Sequence, residues 1–298
     1  MSRPIKISAR SFLRPNSKMT SPTKVFGIFG DPISHSLSPV IYNAAFQSLG
    51  LPYYYVPFEV PERGLKEAVS AVSALGIGGI NVTIPHKEAI IPFLNKISDE
   101  SKKIGAINTV EVIANQLIGH NTDGSGFLKS LSEANVNLDG LQVILLGAGG
   151  ASRGVAVSLL NANISELCVI ARSMERRKVL HNDLSSLFPN IKISEHPFDK
   201  NDFRDAPTLL INTTPLGMKM GDPLPYPVDR IYPNWVVADL VYNPFKTPFL
   251  LAAEKVGAKT VPGTGMLLHQ AALSFEIFTK QKAPIEAMKK ALLRSLGQ

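Results

Sequence analysis

One stretch constrains this chain more than any other: residues 141–152, LQVILLGAGGAS, an apolar run that stops in glycines. Residues 142–146 are β-branched or Leu-rich and bounded by turn formers, the pattern of a strand buried on both faces of a parallel sheet. Val155, Ala156, Leu159 and Leu160 then recur at helical spacing. Between strand and helix, Gly147 and Gly149 leave room for a tight turn and for close approach of a pyrophosphate to the backbone, which the helix N-terminus meets with N–H groups. The arrangement points to a dinucleotide cradle, with Ser152 standing where the fingerprint has its third Gly.

The rest of the chain alternates around this point. Before it, residues 25–29, 53–58 and 80–83 read as strands, and 62–75 as a helix. Ser38 and Pro39 read as the N-cap and first position of a helix through Leu49, Pro85 opens another helix, and a hairpin spans 109–119 around Ala114-Asn115. The βαβα order predicts a parallel α/β sheet. After Asp123-Gly124 a helix runs through Leu131. Strands are then expected at 142–146, 166–170, 191–194, 209–212 and 236–240, with a helix over 173–187. Thr247 and Pro248 cap a helix ending at Gly257. Two last helices, 264–279 and 284–296, have no strand to follow them and must pack on something already built. The fold class is α/β: a first α/β domain, a Rossmann-type doubly wound domain, and C-terminal helices returning to the first.

Charge needs one correction before it is read. The net charge is +7, but Arg3, Lys6, Arg10, Arg14 and Lys18 fall in the first 18 residues with no acid among them, which leaves +2 for the remainder. The near-neutral fold gives no case for nucleic-acid binding, and no apolar run approaches the ~20 residues of a membrane span. Residues 1–18 resemble a transit peptide in composition; the plainer reading is a leader ahead of Met19, and either way they stand outside the fold. Cys168 is the single cysteine, so no internal disulfide forms and a reducing compartment is expected.

Polar clusters concentrate at strand ends, where open α/β sheets bind ligands. His35-Ser36-Leu37-Ser38 carries two hydroxyls beside a helix start; taken alone, Ser38 is a cap and Ser36 a turn former. Residues 81–87, NVTIPHK, place an amide, a hydroxyl and an ammonium on one strand-to-helix turn. Lys87 there is either a solvated helix lysine or, at the positive end of the dipole, suited to shuttle a proton. GAINT (105–109) and NTDG (121–124) add amides and Asp123, which could be no more than an N-cap. Gln270 shares a helical face with Met266, Leu273 and Ile277, and a buried amide on an apolar stripe must find partners. No His or Cys spacing suggests a metal site.

Taken together, HSLSP, NVTIPHK, GAINT, NTDG, GAGGAS, NTTPLGM (212–218), LVYNP (240–244) and GTGMLLHQ (263–270) resemble shikimate dehydrogenase over nearly the whole chain from Val25 onward. The resemblance implies reversible, NADP-linked interconversion of 3-dehydroshikimate and shikimate on the route to chorismate and the aromatic amino acids. It implies substrate contacts at Ser36, Ser38, Thr83, Lys87, Asn108, Asp123, Tyr242 and Gln270, with Lys87 and Asp123 as the catalytic pair. Its cofactor positions are Gly147, Ala148, Gly149, Gly150, Ala151, Arg172, Ser173, Arg176, Thr213, Leu240 and Gly263, the last closing over the nicotinamide. It also divides the chain into a substrate domain of 19–122 with 264–298 and a cofactor domain of 123–263. A cytoplasmic monomer or homodimer acting on a small molecule, with no nucleic-acid or membrane partner, follows.

Chemistry and sequence sharpen three of these expectations. A polyhydroxylated carboxylate is matched by hydroxyls and amides, which bind it without burying an unpaired charge. The turn after the second strand of the nucleotide half reads Ala171-Arg172-Ser173 where the family has Asn-Arg-Thr; with Arg172 and Arg176 near a 2′-phosphate and no acid for a ribose hydroxyl, NADP is preferred over NAD. Family members that accept quinate tend to carry Thr at the second serine of the loop, and this chain keeps both, so shikimate is expected over quinate or an aminoshikimate. His86 competes with Lys87 for the proton, but adjacent residues project about 100° apart on a helix, and its replacement by Ala is expected to cost little. A non-enzymatic NADP(H)-binding regulator would have lost Lys87 or Asp123, and both are present.

Overall fold

The computed structural model describes residues 23–197 and 206–298, so the leader expected at 1–18 lies outside the described residues. Two six-stranded sheets stand side by side. The first is built from β1 (Lys24–Gly30), β2 (Tyr53–Glu59), β3 (Gly79–Val82), β4 (Lys96–Ile97), β5 (Thr109–Ile113) and β6 (Gln116–His120), in the order β2-β1-β3-β5-β6-β4. It is parallel from β2 to β3, but β5 runs antiparallel to both β3 and β6. The all-parallel sheet expected here is therefore mixed. The hairpin explains why: Ala114 and Asn115 both take positive φ, a two-residue turn that joins only antiparallel neighbours. On the open edge, the Asn43 side chain donates to Tyr55 O and accepts from Tyr55 N, both at 2.9 Å, and closes β2 against further pairing.

The second sheet contains β7 (Gln142–Leu146), β8 (Glu166–Ile170), β9 (Lys192–His196), β10 (Thr208–Asn212), β11 (Val236–Asp239) and β12 (Lys259–Val261). All are parallel, in the order β12-β11-β10-β7-β8-β9. This is the doubly wound order, with its switch point between β7 and β10. The expected strand positions hold to within a few residues; β4 and β12, two and three residues long, are too short to show a period and were not foreseen.

Helices α1 (Ser38–Ser48), α2 (Leu65–Ala74), α3 (His86–Ala89) and α4 (Asp99–Ile104) belong to the first half. Helices α5 (Asp123–Glu133), α6 (Gly150–Leu160), α7 (Met174–Leu187) and α8 (Pro248–Lys255) follow, then α9 (Gly263–Thr279) and α10 (Ile285–Ser295). The predicted cap at Thr247 is present and accepts from Leu250 N. The predicted cap at Ser38 is not: Leu37 flanks the helix, Ser38 is its first residue, and the Ser38 N–H is met by Ser36 Oγ at 3.3 Å.

The last two helices pack where they were needed. Leu268, Ala271, Phe275, Met288 and Leu292 share one core with Phe26, Ile41 and Phe46 of β1 and α1. Helix α5 is wedged between the halves. A Cβ at Gly126 would lie 2.6 Å from Gln270 N of α9, and one at Gly124 2.3 Å from Gly154 O of α6. Only glycine allows both approaches, and together they fix where Asp123, the first residue of α5, must stand.

Candidate active site

The loops leaving β1 and β3 in one sheet and β7, β8, β10 and β11 in the other line a cleft of about 1500 Å³. Every site position expected from the sequence lines it: Ser36, Ser38, Thr83, Lys87, Asn108, Asp123, Tyr242 and Gln270, with Gly147 to Ala151, Arg172, Ser173, Arg176, Thr213, Leu240 and Gly263.

At the centre Lys87 Nζ pairs with Asp123 Oδ2, both side chains largely buried, at 14% and 5% exposure. The other carboxylate oxygen, Oδ1, accepts from Asn108 Nδ2 at 2.9 Å. That amide also donates to Thr122 Oγ1 at 2.9 Å and reaches Gln270 Oε1 at 3.4 Å, while Asn108 Oδ1 accepts from Thr122 N and Thr109 Oγ1. Behind it, Asn81 accepts from the Tyr55 hydroxyl at 2.7 Å and donates to Asn108 O at 3.0 Å, and Ser274 joins Thr109 and Thr122. A buried network in which each member is satisfied holds its groups in one arrangement. Asp123 is thus no helix cap; one oxygen is anchored and the other faces Lys87.

Lys87 sits on a helix of a single turn, too short to carry an appreciable macrodipole, so the dipole argument for it falls away. Its charge is met by Asp123 instead. A Cβ at Gly150 would come within 2.8 Å of Lys87 Cβ, so the glycine turn of the nucleotide half rests directly on this lysine. His86, at the cleft's edge, is fully buried, and its Nε2 donates to Val60 O at 2.6 Å. A small cost of His86→Ala is therefore expected for the reaction alone and not for the fold, because the truncation leaves a cavity and an unpaired carbonyl.

Around this pair stand the remaining polar positions. Ser36 and the buried Ser38 come from the β1 loop, and Thr83 from the end of β3. Tyr242 arrives from the opposite sheet, its phenol against the Leu37 backbone; burial pushes its ionisation up, which leaves it a hydrogen-bond donor at neutral pH. Gln270 is half-buried and donates to Leu267 O at 2.9 Å. Its predicted companions Leu273 and Ile277 are only half-buried too, because the fully buried face of α9 carries Ala271 and Phe275 instead.

The nucleotide half is built differently. Gly147 has φ +116°, and a Cβ there would lie 2.5 Å from Thr213 Oγ1. Gly149 precedes α6 with open space before it. Ser152 does not leave the fingerprint incomplete: it accepts from Gly149 N at 3.2 Å and bonds Thr213 Oγ1 at 2.6 Å, which in turn donates to Leu146 O at 2.6 Å. That relay ties the turn to both strands at the switch point. The first N–H groups of α6 have no carbonyl to bond within the helix and face the cleft. Ser173 caps α7, and Arg172 and Arg176 are exposed at the cleft wall, while Arg177 is buried and bound to Glu195 and Ala171 O. A glycine-rich turn with no side chain larger than a methyl, free helix N–H groups and two open guanidinium groups fit a dinucleotide carrying an extra phosphate.

Sequence reasoning missed the shell behind the cleft. The sequence places Asn81 in a ligand-facing motif and leaves Tyr55, Ser274 and Asp239 as ordinary strand and helix residues. A polar residue inside an otherwise apolar strand, as at Asn81 and Asp239, was the available signal.

Comparison with known proteins agrees with this geometry. Residues 28–110 match the shikimate dehydrogenase substrate binding domain, and residues 263–293 the shikimate 5′-dehydrogenase C-terminal domain. The chain is 42% identical to the NADP(+) shikimate dehydrogenase of Desulfitobacterium hafniense (strain Y51) over 275 residues, covering 92% of this chain and 99% of that one. It superposes with a TM-score of 0.86 and 37% identity on a crystal structure of a shikimate dehydrogenase in complex with NADP+, covering 93% and 96% of the two chains. A quinate dehydrogenase from Corynebacterium glutamicum in complex with NAD aligns at a TM-score of 0.84 and 28% identity, covering 91% and 99%.

Proposed function

The chain belongs to the shikimate dehydrogenase family, and from that premise we propose which of its residues carry the reaction. It is an NADP-dependent oxidoreductase that reversibly reduces 3-dehydroshikimate to shikimate, on the way to chorismate and the aromatic amino acids. NADPH, when bound, supplies the hydride; everything else falls to side chains and backbone of this chain.

In the direction of reduction, protonated Lys87 gives a proton from Nζ to the carbonyl oxygen as it becomes a hydroxyl, and in oxidation Nζ takes that proton back. Asp123 Oδ2 holds Nζ in place while Asn108 anchors Asp123 from behind. The observation that carries this reading is the Lys87–Asp123 pair standing directly under the Gly150 turn, where substrate and nicotinamide must meet. Ser36 and Ser38 hold the substrate carboxylate, and Thr83, Asn108, Tyr242 and Gln270 meet its oxygens. Gly147, Ala148, Gly149, Gly150 and Ala151 cradle the pyrophosphate, with Thr213 and Leu240 beside them and Gly263 at the nicotinamide end. Arg172, Ser173 and Arg176 face the 2′-phosphate.

Sheet membership, with the packing of α9 and α10 on the core of the first sheet, supports the division read from the sequence, 19–122 with 264–298 for the substrate and 123–263 for the cofactor, with α5 as the seam. A reducing compartment such as the cytoplasm fits the single, buried Cys168, and no helix among the described residues is long and apolar enough to cross a membrane. The test is cofactor reduction at about 340 nm, with shikimate or quinate against NADP+ or NAD+. Shikimate with NADP+ is the fastest pair; quinate with NAD+ matching it would overturn the substrate and cofactor assignment.

A further inference from the structure

Asp239 lies at the end of β11, is 1% exposed, is not part of the cleft lining and, among the described residues, has no charged group beside it. Its carboxylate nevertheless collects donors from three directions. Oδ1 accepts from Asn212 Nδ2 at 2.8 Å and from Val241 N at 3.0 Å; Oδ2 accepts from Thr247 Oγ1 at 2.6 Å. Each donor governs a different part of the cofactor side of the cleft. Asn212 also donates to Leu216 O, and its Oδ1 holds Thr214 N and Oγ1, so it shapes the turn carrying Thr213, Thr214 and Leu216. Val241 lies between Leu240 and Tyr242. Thr247 starts α8 and closes the second turn. Leu240 O in turn supports Gly263, where a Cβ would lie 2.5 Å away.

We propose that Asp239 is a positioning residue that, through Asn212 and Val241, holds the Thr213–Leu216 turn and the Leu240–Tyr242 turn in one arrangement, so that the cofactor wall and the Tyr242 contact to substrate are set together. The proposal rests on the cofactor and substrate assignment above. Its physical basis is that an ionised carboxylate meets all three donors with acceptor lone pairs alone and holds them most strongly. A proton or an amide there turns one oxygen position into a donor, so that a bond is weakened or Thr247 Oγ1, which already accepts from Leu250 N, must reverse its role. The charge is kept in an unfavourable place: burial pushes Asp239 up to about 6, against the opposing hydrogen bonds from Thr247, Val241 and Asn212. Nothing charged faces it from β10, from α8 or from its own loop.

The test is Asp239→Asn, read by NADPH affinity from cofactor fluorescence between pH 5 and 8, together with KM for shikimate and the melting temperature. Expected at pH 7.5 are an NADPH affinity about tenfold weaker and a shikimate KM about tenfold higher, because one carboxylate serves both turns. The wild-type chain loses affinity as pH falls through about 6, and this limb is absent from Asp239→Asn; a limb common to both proteins belongs to the 2′-phosphate, whose second pKa is also about 6. A folded Asp239→Asn with wild-type affinity, wild-type KM and a wild-type profile would overturn the proposal, as would a lower melting temperature alone. Should Asp239→Asn fail to fold, Thr247→Val decides: removing the Oδ2 donor raises the pH of the acid limb, and an unmoved limb is contrary. Failure of the wild-type chain to bind NADPH at all would overturn the assignment and this proposal with it.

Discussion

The two halves of the cleft solve opposite problems with opposite materials. The substrate side of the cleft brings Lys87 of α3, Asn108 before β5, Asp123 of α5 and Gln270 of α9 together and fixes them with a buried network reaching back to Asn81 and Ser274. The second sheet offers backbone: a glycine at φ +116°, a second with open space before it, free helix N–H groups, and a hydroxyl relay through Ser152 and Thr213 that holds the turn. A ring with several hydroxyls is distinguished from its relatives only by directional side chains at each oxygen. A pyrophosphate needs N–H groups it can approach closely, and any side chain is in the way. The substrate half should therefore fail when groups are removed and the cofactor half when atoms are added.

The largest effect tests the first statement. Lys87→Ala is expected to lower kcat by roughly 10²- to 10⁴-fold with far less change in the shikimate KM, the range typical of a lost general acid–base group. His86→Ala serves as the neighbour that should not do this; its deficit is expected in the melting temperature, since the ring is fully buried against Val60 O. If the His86 variant were folded but inactive and the Lys87 variant active, the assignment of roles would be wrong even though the family membership stood.

Next in size is the addition of one methyl. Gly147→Ala must take φ +116° with a Cβ 2.5 Å from Thr213 Oγ1, and an NADPH affinity lower by about 10- to 100-fold is expected from strain of that kind. An unchanged affinity by titration would show that the turn is more pliable than its geometry implies. Smaller again, Arg172→Asp should cost about tenfold in NADP+ efficiency and little in NAD+, because only the former has a phosphate to lose. A parallel loss with both cofactors would remove Arg172 from the 2′-phosphate site. The smallest effect lies on the serine loop: Ser38→Thr is expected to shift the shikimate-to-quinate ratio by about tenfold or less, the size of one polar contact. A ratio that does not move would leave the extra hydroxyl of quinate to be excluded elsewhere.

How much of this was visible in the sequence follows the same division. The nucleotide half was legible because its signals are local: an apolar run, glycines, a helix start, and Arg172 two residues past β8. The first half gave its motifs but not their partnership. Asp123 looks like an N-cap until Asn108, fifteen residues earlier and across a hairpin, is seen to occupy one of its oxygens. Ser38 looks like a cap until the helix is found to begin with it, its N–H met by Ser36. Long-range contacts such as Asn81 to Ser274 have no periodic signature at all. Nor does Asp239, whose neighbours come from three elements, and whose charge works against the fold. Its pKa of about 6 lies above the ordinary 3.8, so the stability it contributes is fully present below pH 3.8 and is lost as pH rises through 6, by about 3 kcal/mol in all. Thermal unfolding of the wild type minus Asp239→Asn, followed from pH 4 to 8, should show that decline.

The central claim, that one half of the cleft acts through side chains and the other through backbone, is tested most directly by crossing two variants with two ligands. NADPH and shikimate affinities would be titrated separately on Lys87→Ala and Gly147→Ala. The account predicts that Lys87→Ala binds NADPH as the wild type does while turnover collapses, and that Gly147→Ala loses NADPH while shikimate affinity is kept. Loss of NADPH affinity in Lys87→Ala equal to that in Gly147→Ala would contradict it, because the two halves would then be a single site that any disturbance dissolves.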